Sequence, residues 1–164
     1  MFDVVDFNKA CSEACGKSLP LAGVPVYYVR CNACGFCYAP EFQKWTPEDF
    51  RRHIYNERYL EVDPEYVDVR PRTNATLVGN TFKEQVAAIR HLDYGGGQGL
   101  LSRLLREAGW NSASYDPFVD TAVCAQTLGV FDLITAFEVF EHVVDPNALL
   151  KQLKALLSPG GMVV

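Results

Sequence analysis

The sequence predicts an α/β fold: a doubly wound parallel sheet preceded by a small cysteine-rich module. Three observations carry that prediction. Residues 87–110 (AAIRHLDYGGGQGLLSRLLREAGW) read as strand, glycine turn and helix. An apolar run passes through Asp93, a cluster of Gly95, Gly96, Gly97 and Gly99 follows, and Leu100, Leu101, Leu104, Leu105 and Ala108 then share one helical face. Residues 131–137 (FDLITAF) form a run suited to a parallel strand buried on both faces. Upstream, residues 1–40 hold five of the six cysteines, set as closely spaced pairs.

Composition bounds the function. The chain has 164 residues, 49% hydrophobic and 21% charged, an ordinary composition for a chain with a core. Net charge is -5 and the isoelectric point about 5.2. Lys and Arg form no block, so a sequence-independent nucleic-acid footprint is not expected; Arg51-Arg52 and Arg70/Arg72 are local pairs on a solvated surface. No apolar stretch reaches membrane-spanning length, and the N-terminus carries acids where a signal peptide needs a basic region. The prediction is a cytoplasmic protein with no membrane partner, whose cysteines are thiols or metal ligands.

The first module, residues 1–42, is read as zinc-ribbon-like. Cys31-x-x-Cys34-Gly35 has the knuckle form in which a tight turn lets two thiolates face one metal and the glycine relieves crowding. Cys11-x-x-x-Cys15-Gly16 would supply the second pair, with a β-like run over 24–29 between them. The predicted zinc ligands are Cys11, Cys15, Cys31 and Cys34, a closed structural site, with Cys37 a spare thiol or an alternative ligand. The competing reading is a set of buried thiols without metal.

A helical and aromatic connector is assigned to residues 43–80. Thr46-Pro47-Glu48 is a helix start, and the helix is expected to run from 47 to between 56 and 60. Asp63-Pro64 and Arg70-Pro71 read as turns. Tyr55, Tyr59 and Tyr66 either pack across the domain junction or cap a ligand entrance. Residues 76–86 are expected to be a helix leading into the first core strand.

The core domain, residues 81–164, begins with the glycine turn. Its order is Asp93-x-Gly95-x-Gly97-x-Gly99, and no G-x-G-x-x-G fits because position 100 is leucine. An acid at the strand end would repel a pyrophosphate and suits a ligand with a cationic end. An NAD-dependent oxidoreductase is disfavoured on both counts. Residues 111–115 form a second strand ending in Asp116-Pro117, where one carboxylate can accept from two ribose hydroxyls. The segment 118–130 is short and irregular, with Asp120 and residues 124–126 its candidate polar contacts. Glu138, Glu141 and His142 follow the 131–137 strand at its ligand-binding end. Asp145-Pro146 caps a helix with Leu149, Leu150, Leu153, Leu156 and Leu157 as its buried stripe. Ser158-Pro159-Gly160-Gly161 is expected to stop that helix, with a strand from Met162.

The Asp93–Gly99 pattern resembles motif I of class I S-adenosylmethionine-dependent methyltransferases. Residues 131–161, with the Glu141-His142 pair and the terminal Pro-Gly-Gly, resemble the motif IV to motif V region of the same family, and the likeness is continuous from 87 to 164. Residues 45–66 also resemble a subset with an N-terminal zinc-binding segment. The resemblance implies a Rossmann-like fold binding S-adenosyl-L-methionine. Asp93 would lie near the methionine moiety, Gly95, Gly97 and Gly99 under the ribose and methionine backbone, Asp116 on the ribose and Glu138 at the same edge. It also implies a sheet that continues past Val164, so the chain is expected to be C-terminally truncated and its sheet incomplete on that side. The expected activity is methyl transfer to a small molecule, a sugar or another metabolite, with His142 and Glu141 as the acid–base pair. The alternative is a non-catalytic zinc-binding interaction module with a degenerate methyltransferase fold. His53 and His91 are assigned no role.

Overall fold

The structure is a computed structural model that describes residues 1, 3–8, 20–86 and 88–164. The chain forms two compact units, Met1–Pro64 and Glu65–Val164.

The first unit contains a three-stranded antiparallel sheet of β1 (Asp3–Asp6), β2 (Pro25–Arg30) and β3 (Cys37–Tyr38), with β2 in the middle. The predicted β-like run at 24–29 is thus the central strand. At the end of β1 the Asp6 carboxylate accepts from the backbone N–H groups of Asn8, Ala22 and Gly23, each at 2.9 Å. Those bonds hold the Asp6 carboxyl below the usual range. Cys11 and Cys15 lie outside the described residues. The Cys31–Gly35 knuckle links β2 to β3. Gly35 adopts φ 77°, and its N–H donates to the Cys31 carbonyl at 2.9 Å.

Helix α1 (Pro47–His53) starts as the sequence predicts. Thr46 and Asp49 form a reciprocal capping box, and Pro47 occupies the first position. The helix stops short of the expected 56–60. Asn56 turns its side-chain amide onto the Arg52 carbonyl at 3.0 Å, and Tyr55 N–H reaches back to the Phe50 carbonyl. An asparagine side chain that bonds nearby backbone competes with the helix, so the chain turns before the short α2 (Tyr59–Val62). Phe7, Phe42, Trp45, Phe50 and His53 pack as an aromatic group.

The second unit is the predicted α/β sheet. It begins with α3 (Val69–Thr81) and continues as β4 (Arg90–Tyr94), α4 (Leu100–Glu107), β5 (Asn111–Tyr115), β6 (Phe131–Thr135), α5 (Pro146–Ala155) and β7 (Leu157–Val163). All pairings are parallel and the order is β5-β4-β6-β7. The chain leaves β4 through α4 to β5 on one side, then returns across β4 to β6 on the other. The strand order therefore reverses at the carboxyl end of β4, where α/β sheets bind ligands.

Further boundaries differ from expectation, among them the end of α3 at Thr81, short of the 86 expected. Helix α3 begins at Val69, so Arg70-Pro71 lies in its first turn, where proline's missing N–H has no helical partner to lose. Residues 158–161 continue β7 instead of ending in a turn. The pairing of β6 and β7 is irregular between Phe131 and Leu133, and Ser158 Oγ donates to Asp132 Oδ1 at 2.5 Å to anchor the bulged strand. Residues 118–130 carry no strand, and β5 connects directly to β6, as predicted.

The period-two pattern divides the central strands, except at Phe131, where the irregularity before Leu133 breaks the alternation. Leu92, Tyr94, Tyr115, Ile134 and Phe131 face α5, packing on Leu149, Leu153 and Leu156. Leu133 faces the opposite side, with Leu101 and Leu105 of α4 and Ala75 and Val78 of α3. On that side the register also places His91 beside Ser112, Asp93 beside Ser114, and Asp93 beside Thr135. The face against α4 thus carries a buried row of polar side chains. Among the described residues no helix is long and apolar enough to cross a membrane.

Candidate cofactor site

The glycine turn must fold between β4 and α4 with almost no side chain. Gly95, Gly97 and Gly99 take φ of 75°, 53° and 71°, a region that L side chains rarely adopt. Gly96 is needed for space: a Cβ there would stand 2.4 Å from both Asp93 Oδ2 and Ser114 Oγ. A Cβ on Gly97 would meet Tyr66 Oη at 2.8 Å. The turn therefore presents bare backbone to a cleft.

That cleft is lined by Asp93, Gly95–Gly97, Tyr66, Arg70, Phe137 and Glu138, among others. Asp93 is 4% exposed and sits at its floor. Its Oδ1 accepts from Thr135 Oγ1 at 2.9 Å. Burial pushes the Asp93 carboxyl up to about 7; the Thr135 bond opposes this and the charge of Asp116 adds to it. A cationic group entering the cleft would favour the ionised form of Asp93. Ser114 Oγ, close by under Gly96, is a buried hydroxyl without a hydrogen-bond partner among the described residues.

Asp116 follows β5 directly and is 7% exposed. Its Oδ2 accepts from Gly97 N–H and its Oδ1 from Phe118 N–H, at 2.9 and 2.8 Å. Each oxygen keeps a lone pair for a further donor. The second carboxylate is thereby locked to the middle of the glycine turn. Asp120 fixes the Asp116 backbone, accepting from its N–H at 2.8 Å.

Glu138 follows β6 with φ 55°, the only non-glycine residue with positive φ among those described. Such a conformation costs about 1–3 kcal/mol and clusters at functional sites. Its carboxylate accepts from Arg70 Nη1 at 3.2 Å, joining the end of β6 to α3 across the cleft.

The structure therefore gathers Asp93, Gly95, Gly97 and Glu138 in one cleft and ties Asp116 to its wall. Gly99 supplies the left-handed residue before α4 without lining the cleft. Glu141 and His142 form a tight turn just beyond Glu138 and are not among the lining residues. Arg70, read from sequence as part of a surface pair with Arg72, and Phe137, read as the end of a strand, both line the cleft. Arg70 was hidden because Arg70-Pro71 read as a turn; a proline in a first helical turn is the signal that would have placed it on α3, facing the glycine turn. Tyr66, one of the three tyrosines read as packing or capping, does line the entrance.

Residues 65–164 match the family described as "Methyltransferase domain". The chain belongs to the class I S-adenosylmethionine-dependent methyltransferase family. Among curated relatives, the "Ubiquinone biosynthesis O-methyltransferase" of Ralstonia nicotianae is 29% identical over 101 residues, covering 48% of this chain and 42% of that protein. The protein of the same name from Xanthomonas euvesicatoria is 33% identical over 100 residues, covering 47% and 42%, and that from Caulobacter sp. is 29% identical over 99 residues, covering 46% and 39%. The chain thus spans well under half the length of the curated relatives it matches. The glycine turn of this methyltransferase domain is the part of the chain that the cleft is built around.

In the first unit, Cys31 and Cys34 approach one another in the knuckle. Backbone N–H groups of Cys34 and Ala33 point at the Cys31 sulfur and, with the Cys34 side chain, hold its thiol below the usual range. Cys37 donates to the Gly35 carbonyl. Among the described residues no three metal-ligating side chains converge.

Proposed function

We propose that this chain binds S-adenosyl-L-methionine in the Asp93–Gly97 cleft and transfers its methyl group to a small molecule, a sugar or another metabolite. The observation that carries the reading is the pair of buried carboxylates flanking a side-chain-free turn at the point where the strand order reverses. The donor set fits the ligand. Asp93 meets the ammonium of the methionine moiety, and Arg70, held by Glu138, meets its carboxylate. Asp116 accepts from the ribose hydroxyls with the lone pairs that Gly97 and Phe118 leave open.

The bound cofactor supplies a methyl group on a positively charged sulfur with a neutral leaving group. The chain's own part is then mainly positional. Holding the acceptor in line and excluding water is worth about 7–11 kcal/mol in well-oriented reactions. Tyr66 and Phe137 wall the cleft, which favours exclusion of water. His142 and Glu141, in the turn after Glu138, are the candidate base and its partner for an acceptor that must lose a proton, a contribution of about 10²–10⁴-fold. The names of the relatives favour an oxygen acceptor. The acidic composition disfavours nucleic acid as a substrate.

In the first unit the proposal is a structural zinc held by Cys31 and Cys34 together with Cys11 and Cys15. It is supported by the knuckle turn and by the amides directed at Cys31. Metal analysis of purified protein tests it: about one zinc per chain, lost in Cys31→Ser, supports it, and none overturns it. The cofactor reading is tested by calorimetry with S-adenosylhomocysteine. Binding that is lost in Asp93→Ala and in Asp116→Ala supports it; absence of binding to the unmodified chain, or binding indifferent to both substitutions, overturns it.

A further inference from the structure

The polar row against α4 continues beyond the cofactor cleft into the core. His91 is fully buried, as are Thr135 and Ser102, and Ser112 is nearly so. These groups form one connected chain. Thr135 Oγ1 lies 2.9 Å from Asp93 Oδ1 and 3.0 Å from His91 Nε2. His91 Nδ1 lies 2.7 Å from Ser112 Oγ, Ser112 Oγ lies 3.0 Å from Ser102 Oγ, and Ser102 donates to the Ala113 carbonyl at 2.7 Å. A histidine so placed in the first core strand is costly unless every polar atom is satisfied. The row has partners for both ring nitrogens, and the order of its protons is set at the Asp93 end.

Counting protons shows why. Thr135 has one hydroxyl proton and two neighbours that can accept it. When Asp93 is ionised, Thr135 donates to the carboxylate. His91 must then carry its proton on Nε2, to donate to Thr135; its Nδ1 accepts from Ser112, which gives up its bond to Ser102, and Ser102 either keeps its proton on the Ala113 carbonyl or turns it to Ser112. When Asp93 is protonated, the carboxyl donates to Thr135 and Thr135 donates to Nε2. His91 then carries its proton on Nδ1 and donates to Ser112, which donates to Ser102. His91 holds one proton in both arrangements. The proton that distinguishes them is the one Asp93 exchanges with solvent.

We propose that His91 is a positioning residue for Asp93, coupled to it through Thr135, and that ionising Asp93, by base or by a cation bound in the cleft, moves the His91 proton from Nδ1 to Nε2. The half concerning a bound cation rests on the cofactor reading above; the half concerning base does not. Burial holds the His91 ring down to about 4, so it stays neutral while Asp93 titrates near 7. Arg70 of α3, paired with Glu138, and Tyr66 line the cleft together with Asp93. Asp116 raises Asp93 through its charge, and Ser114 lies beside the carboxyl. Trp110 meets the His91 ring edge-on with centroids 6.1 Å apart. Arg106 of α4 reaches this face, where it donates to the Ser112 carbonyl at 2.9 Å. Tyr94 and Tyr115 belong to the opposite face.

The test is long-range proton–nitrogen NMR on the full chain with labelled histidine. The chain has three histidines, and the signal lost in His91→Gln identifies the ring. As pH is raised through about 7, the two ring nitrogens of His91 should exchange protonated and unprotonated character while the ring stays neutral. Thr135→Ser should keep the exchange and Thr135→Val should abolish it. An unchanging tautomer in the unmodified chain, or an imidazolium at the acid end of the titration, overturns the proposal, whether or not Thr135→Val folds. Adding S-adenosylhomocysteine below the midpoint should drive the ring to Nε2–H. A pH-driven exchange without any response to this ligand leaves the coupling standing and counts against the cofactor reading alone.

Discussion

Replacing Asp93 by asparagine should strengthen the fold at alkaline pH while it disables the cleft. The two side chains have the same shape, and asparagine can still pair with Thr135, so packing is retained. What changes is the charge. Burial raises the Asp93 carboxyl from the usual 3.8 to about 7. The folded chain therefore holds a proton that the unfolded chain has already released. Below about pH 4 both states are protonated and Asp93 costs nothing. As pH rises from there to about 7 the unfolded state gains the free energy of ionisation and the folded state does not, so stability falls; above 7 the deficit is constant. At about 1.4 kcal/mol per pH unit the deficit is on the order of 4 kcal/mol, an upper limit for a side chain at the edge of a cleft. Urea unfolding of both forms at mildly acidic and alkaline pH measures it. The asparagine variant should gain midpoint relative to the unmodified chain as pH rises, and lose affinity for S-adenosylhomocysteine. A variant that is less stable at alkaline pH, or a difference that does not change with pH, would refute the reasoning.

Other substitutions follow from the same geometry. Gly96→Ala forces a methyl group against Asp93 Oδ2 and Ser114 Oγ, both 2.4 Å from its position; overpacking of this kind costs about 1–3 kcal/mol, read by urea unfolding, and ligand binding should fall with it. Asp116→Ala strips the acceptors from the part-buried Gly97 N–H and Phe118 N–H, with a cost of about 0.5–1.5 kcal/mol for each lost bond; Asp116→Asn keeps one acceptor and should fall between. Asp145→Ala removes the side chain that accepts from Ala148 N–H at 3.0 Å, and should cost about 0.5–2 kcal/mol of stability with ligand binding intact.

The parts of the fold that were legible from sequence are those where one local signal decides. The Asp93–Gly99 turn places glycine at the three positions that take positive φ, and α4 and α5 carry apolar stripes, with a cap at Asp145 for α5. Thr46-Pro47 announced α1. The failures lie where tertiary bonds override local preference. Asn56 ends α1 through a side-chain bond that periodicity does not reveal. Ser158 reaches Asp132 on the neighbouring strand, so residues that read as a helix stop belong to β7. Arg70 reached the cleft only because α3 begins a turn earlier than its neighbouring proline suggests. The buried row from Asp93 to Ser102 was invisible for a related reason: β4, β5 and β6 are far apart in sequence, and only their register brings His91, Thr135 and Ser112 onto one face.

In the proposed function, Asp93 and Arg70 hold the amino-acid end of S-adenosyl-L-methionine. Calorimetric titration with S-adenosylhomocysteine and with 5′-methylthioadenosine, which lacks that end, addresses it most directly. The unmodified chain should bind the first ligand more tightly, and Asp93→Asn or Arg70→Ala should reduce it to the level of the second while leaving the second unchanged. Equal affinity for the two ligands in the unmodified chain, or equal weakening of both by the substitutions, would contradict the account.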